Sequence, residues 1–234
     1  MKSTTAPQLN LWTQRQVGHF KPLVFLVCLL PFLRWLYLGF EGGLGANPAE
    51  FLIRSSGYWA LVGLLLALTV TPLRRWVGQP ALVSLRRMLG LFAWFYAVLH
   101  LAGWMVWEVN LSPVLMLDDI IQRTFILLGM LAFIPMTLLA ITSTRGWIRR
   151  LKQRWQKLHR VVYAVAILGV WHFWLVRDGK NDTLEPLIFA LVLAVLLGAR
   201  LVHRFKSMPS GSPASAHRAC HHGASAGSAA ETRV

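Results

Sequence analysis

Apolar residues run through this chain in six long blocks, separated by short polar segments whose charge alternates in sign. The blocks fall near residues 23–40, 51–71, 88–107, 121–141, 158–176 and 185–203. Each reaches or approaches the roughly 20 residues a helix needs to cross bilayer hydrocarbon. The pattern predicts an all-α, polytopic membrane protein built as a six-transmembrane-helix bundle. Tryptophan recurs near the block boundaries, at Trp35, Trp59, Trp76, Trp107, Trp147 and Trp174, where an amphipathic ring settles at a membrane interface.

Three regions follow. Residues 1–22 are polar and read as a cytoplasmic N-terminal segment, 23–206 as the membrane domain, and 207–234 as a disordered cytoplasmic tail. The tail is rich in Ser, Ala, Gly and His and is too polar to bury a core. Its His217, Cys220, His221 and His222 have no second ligand cluster to close a metal site, so they read as solvated residues. The N-terminus does not read as a cleavable signal peptide, because the first apolar block carries Arg34 and lacks a convincing cleavage site.

Composition agrees with this class. Of 234 residues, 56% are hydrophobic and 14% charged, and the mean hydropathy is +0.51. A soluble domain could not cover its surface with so few charges. The net charge of +15 comes from short basic runs flanking apolar blocks, with no nucleic-acid-binding motif, so nucleic acid is excluded as a partner and membrane lipid is expected. Alternate segments sort by sign. Lys21, Arg74, Arg75, Arg86, Arg87 and the run Arg145–Arg160 share one side. Glu41, Glu50, Glu108, Asp118, Asp119, Asp178, Asp182 and Glu185 share the other. By the positive-inside rule both termini are cytoplasmic.

Ionisable side chains at membrane depth are costly and mark function. His100 lies 13 residues into the third block from Arg87, and His172 lies 13 beyond His159, which sits at the cytoplasmic rim of the fifth. At 1.5 Å per residue, 13 residues is about 20 Å of travel, so His100 and His172 share a level in the outer half of the membrane. One imidazole from each of two helices is the arrangement that clamps a haem iron from both faces. Thirteen residues of ideal helix leave His159 and His172 about 140° apart, so both face the interior only if the helix is distorted, for example by a π-bulge. His159 alone reads equally as an interfacial cation. His19 and His203 read as interfacial too, although either could partner His159 in a second haem site. Arg86, Arg87, Arg145, Arg149 and Arg150 are candidates for pairing haem propionates, a flavin phosphate or anionic lipid. The acidic outer loops could dock a partner protein, or could simply follow from topology.

The sequence has no Gly-rich nucleotide loop, no nucleophile–base pair and no carboxylate dyad in an apolar setting, so catalysis on a substrate belongs to a partner. An alternative class, a small transporter or proton channel relaying protons through these histidines, finds no internal repeat or broken-helix pair to support it.

The stretch TSTRGWIRRLKQRWQKLHRVVY at 142–163 resembles the signature of the MsrQ (YedZ) family. LRRMLGLFAWFYAVLH, ending at His100, and TVTPLRRW at 69–76 are similar in kind. That family belongs to the ferric-reductase-like transmembrane group of six-helix b-type cytochromes. The resemblance implies a haem-binding electron-transfer subunit of the bacterial inner membrane, with haem b (one or two) and FMN as cofactors. It implies electrons drawn from the quinone pool or a flavin reductase and passed to a periplasmic molybdopterin enzyme, MsrP, which repairs oxidised methionine. It also implies His100, His159 and His172 as axial ligands. The larger group often carries a further histidine on the third helix, about 14 residues after the first. That position is Val114 here.

Overall fold

The computed structural model describes residues 14–179 and 182–206, and among them it is helical without strands. The chain parts into two units, Met1–Ala199 and Arg200–Val234, and everything below concerns the first. Its helices are α1 (Gln14–Phe40), α2 (Pro48–Trp76), α3 (Val83–Gly103), α4 (Pro113–Gln122), α5 (Thr124–Ile141), α6 (Arg145–Leu151), α7 (Gln153–Leu158), α8 (Val162–Asp178) and, as far as Ala199, α9 (Leu184–Lys206). Among the described residues six stretches are long and apolar enough to cross a membrane: His19–Phe40, Pro48–Trp76, Val83–Glu108, Thr124–Ile141, Gln153–Asp178 and Leu184–Val202. These are the six expected spans.

Local chemistry explains the boundaries. Asn47 caps α2 by accepting from the Glu50 amide, with Pro48 in the first turn. Ser112 and Pro113 start α4 in the same way. Prolines inside α1, α2 and α5 are tolerated because neighbouring groups in a membrane bundle re-satisfy the freed backbone. α3 runs on into one π-helical turn, Trp104–Glu108, before Asn110 and Leu111 take left-handed conformations and reverse the chain. α4 is an addition to the expected elements. It is a short helix exposing Val114 (75%) and Ile121 (79%), and it suits an interfacial position.

α2 packs mainly on α3 and α5 on α8, forming two hairpins side by side. Their shared core includes Leu61, Leu64, Leu68, Ala93, Met136, Val165 and Ala166, and Leu193 and Leu196 of α9 close it. α1 packs on the other flank, where Trp35 donates to Ser55 Oγ at 3.1 Å and Tyr96 donates to the Cys28 carbonyl at 2.6 Å. Such interhelical bonds matter here because lipid competes for apolar contacts, so hydrophobic burial alone does not hold membrane helices together. Leucines such as Leu191 and Leu30 stay exposed for the same reason: they face the lipid. The loops α1–α2, α3–α5 and α8–α9 gather the acidic residues at one end, and α2–α3 and α5–α8 gather the basic residues at the other.

Candidate functional site

His100 lies in the last turn of α3, and α2 holds its ring in place. The ring Nδ1 lies 2.8 Å from the Ile53 carbonyl. A carbonyl only accepts, so Nδ1 carries the proton and Nε2 presents a lone pair. One turn further along α2, Gly57 leaves room for the ring. A Cβ there would stand 2.9 Å from His100 Nδ1, closer than real contacts allow. α8 and α5 repeat the device. His172 Nδ1 donates to the Phe125 carbonyl at 2.6 Å, and a Cβ on Gly129 would meet His172 Cε1 at 3.1 Å.

The two imidazoles lie with ring centres 6.0 Å apart and planes crossed at 77°. Neither Nε2 has a protein partner among the described residues. Both rings line a cavity of ≈ 420 Å³ walled by apolar side chains including Leu61, Leu64, Phe133 and Met136. The cavity opens at the acidic end, where Arg54, Arg123 and Arg177 join its lining. Arg54 pairs with Glu50 and Arg123 with Asp119, each one helical turn apart. Arg177 bridges Asp182 and Glu185, tying the end of α8 to the start of α9. Asp119 also accepts from Trp104 Nε1 at 3.3 Å, which anchors α4 to the cavity wall.

His159 lies elsewhere. The helix carries a 3₁₀ turn over His159–Val161 rather than a π-bulge, and the His159 ring is not part of the cavity lining. It stacks on Trp155 with ring centres 3.9 Å apart. Its Nδ1 lies 3.1 Å from the Trp155 carbonyl and its Nε2 3.3 Å from Ser143 Oγ, and Arg86 is an electrostatic neighbour. Trp155 Nε1 donates to the Thr142 carbonyl, so this cluster ties α7 to the end of α5. Arg86, Arg87, Arg145, Arg149 and Arg150 all belong to this basic end, and none lines the cavity. Val114 starts α4, outside the third spanning helix, and so could not supply a second ligand from it. The tail residues His217, Cys220, His221 and His222 and the side chain of His203 lie outside the description, and His19 is exposed on α1. The three arginines at the cavity mouth were missed from sequence. Their signal was available: each stands within a few residues of an acid and close to a predicted span end.

Residues 56–170, which carry Gly57, His100, Gly129 and His159, match the family described as ferric reductase like transmembrane component. The chain is 55% identical to a protein of Bordetella pertussis over 81% of its own length and 92% of that protein's. It is 49% identical to a protein of Ralstonia nicotianae (76% and 82% covered) and 41% identical to one of Xanthomonas euvesicatoria (81% and 88% covered). All three relatives are named protein-methionine-sulfoxide reductase heme-binding subunit MsrQ. The chain belongs to the MsrQ family.

Does this MsrQ-family cavity fit a haem? Among the described residues no group of three or more His, Cys, Asp and Glu side chains could hold a metal ion. Two neighbouring imidazoles therefore need a partner that brings its own equatorial donors, as a porphyrin does. A metal–imidazole bond of about 2 Å on each side, with each ring centre roughly 1 Å behind its nitrogen, puts the ring centres of a trans pair about 6 Å apart. The observed 6.0 Å meets that requirement. Apolar walls suit the macrocycle, and arginines at the mouth suit its two carboxylates. The residues fit.

Proposed function

We propose that this chain is a transmembrane b-type haem subunit that carries electrons across the bacterial inner membrane to a periplasmic methionine sulfoxide reductase. The observation that carries the reading is a pair of imidazoles in one cavity, ring centres 6.0 Å apart, each with its Nδ1 proton committed to a carbonyl so that its Nε2 keeps a lone pair. His100 and His172 would hold the haem iron through their Nε2 atoms. A haem held there supplies a one-electron couple with no coordination position open to substrate.

Residues of the chain account for the rest. The Ile53 and Phe125 carbonyls hold each imidazole in one tautomer and fix its direction, as the outer hydrogen bonds of metal-binding histidines generally do. The apolar lining would keep water from the bound group, so that one-electron transfer there would need little solvent reorganisation. Arg54 and Arg123 would meet the propionates at the mouth, replacing the basic-end arginines in that role. Arg177 is already engaged by two carboxylates and braces the rim. A proton relay is disfavoured, because each Nδ1 is committed to a carbonyl and the two rings do not bond to one another.

We further propose one haem per chain, with His159 serving the basic-end cluster rather than iron, since both of its nitrogens have protein neighbours. The positive-inside rule places the basic end in the cytoplasm and the cavity mouth toward the periplasm. There a molybdopterin partner of the MsrP type would collect electrons. The donor would be the quinone pool or a flavin reductase. FMN, if carried, would find phosphate partners among Arg86, Arg87, Arg145, Arg149 and Arg150, next to the exposed face of Trp147. The relatives' names support the haem and the sulfoxide reductase system.

The test is reconstitution in vesicles with quinol in the membrane and MsrP with a methionine sulfoxide substrate outside. Sulfoxide reduction should require this chain and should be lost in His172→Ala. Reduction at the full rate by His172→Ala would overturn the proposal.

A further inference from the structure

The walls of the cavity repeat along the chain, although the sequence showed no internal repeat. His100 and His172 are 72 residues apart. Their carbonyl partners Ile53 and Phe125 are separated by the same number, and so are Gly57 and Gly129, which make room for the rings. The offset extends to the whole lining. Twenty-two of the 28 residues lining the cavity form eleven pairs at this spacing, among them Ala60 with Ala132 and Leu64 with Met136. The six left over are Val165 and five polar residues of the acidic-end lining, Asn47, Glu50, Glu108, Arg123 and Arg177.

The secondary structure follows suit. α2 with α3 and α5 with α8 are the two principal packed pairs. α2 and α5 run in one direction and α3 and α8 in the other, so the hairpins are parallel repeats related by an axis along the bundle, not inverted ones. Near the basic end Thr69 and Thr142 each bond the carbonyl four residues back, with the offset slipped by one. There the chemistry stops repeating: 72 residues before His159 stands Arg87.

We infer that the site is two copies of one half-site, each a carbonyl, a glycine and a histidine, related by a pseudo-two-fold axis along the bundle, and that a haem therefore binds in two face-flipped orientations. This rests on the haem reading above. A half-turn about the axis through the propionate edge exchanges the faces that a haem presents to His100 and His172. It leaves the propionates at the mouth, where the asymmetric charges lie. Natural haem b is unsymmetrical about that axis, so the two orientations are chemically distinct and both are ligated by the same pair. The wall pairs that differ in size, chiefly Leu61 with Phe133 and Leu101 with Phe173, set the ratio.

The test is proton NMR of the ferric protein, reading the paramagnetically shifted haem methyls at equilibrium. Two sets should appear, with the minor form within about tenfold of the major, a difference of about 1.4 kcal/mol or less. Reconstitution with a synthetic haem symmetric about its propionate axis should collapse them to one set. Phe133→Leu with Phe173→Leu should bring the ratio closer to one, because both walls then carry leucine at these positions. One methyl set with natural haem would overturn the inference while leaving bis-histidine ligation standing. Absence of any low-spin haem spectrum would overturn the haem reading, and this inference with it.

Discussion

Gly57 tests how closely the helices must approach the ligands. In Gly57→Ala the new Cβ would sit 2.9 Å from His100 Nδ1. Ordinary contact between such atoms lies near 3.5 Å, so the ring must retreat by roughly half an ångström or α2 must move. Either response strains the 2.8 Å bond between Nδ1 and the Ile53 carbonyl and displaces the ring from its place beside His172. Overpacking of this kind costs about 1–3 kcal/mol, and the hydrogen bond adds about 1 kcal/mol if it is lost. Haem affinity should fall by about 5- to 150-fold for the overpacking alone. The matching Gly129→Ala has more room, 3.1 Å to His172 Cε1, and should cost less. The assay is transfer of haem from each purified protein to excess apomyoglobin, with the rate of loss followed in the Soret band. Wild-type retention in Gly57→Ala would refute the claim that the glycine is there for the imidazole.

Three further outcomes follow. His159→Ala should keep the full haem-to-protein ratio and an unshifted visible spectrum, whereas loss of one of two components in a redox titration would make His159 a ligand. Arg54→Leu with Arg123→Leu should lower the haem midpoint potential, because removing cations beside the propionates favours the ferric state. Partly exposed pairs are worth about 0.5–1 kcal/mol, which corresponds to on the order of 20–40 mV for one electron. Arg149→Leu with Arg150→Leu should leave the potential alone, and a shift in that variant instead would move the propionates to the basic end. The 77° between the imidazole planes should give a strongly anisotropic low-spin signal in electron paramagnetic resonance, and a rhombic spectrum typical of parallel ligand planes would contradict the observed geometry.

Hydrophobic blocks and charge sign carry most of the architecture, because length and polarity are what a bilayer constrains. The six spans were therefore legible, and so was the common depth of His100 and His172, which needs only a rise per residue. Other features depended on packing. His159 occupies a rim position where one 3₁₀ turn redirects the ring toward Trp155 and Ser143, and helical phase alone could not say where it would point. The basic-end arginines drew attention by number. Arg54 and Arg123 were hidden inside i, i+4 ion pairs, and only the cavity mouth brings them together with Arg177. The 72-residue repeat is not legible in the sequence because few paired positions keep the same residue. What persists is geometry: a carbonyl, a small residue and an imidazole at fixed spacing. α4 read as a loop because Asp118 and Asp119 interrupt its apolar face.

The central claim is that His100 and His172 together hold one haem. Its most direct measurement is the reduced-minus-oxidised visible spectrum of purified His100→Ala and His172→Ala, with a parallel sample grown and purified in imidazole. Each single variant should lose the low-spin spectrum, and added imidazole should restore it by filling the vacated side of the iron. An unchanged low-spin spectrum at full haem content in either variant would contradict the account.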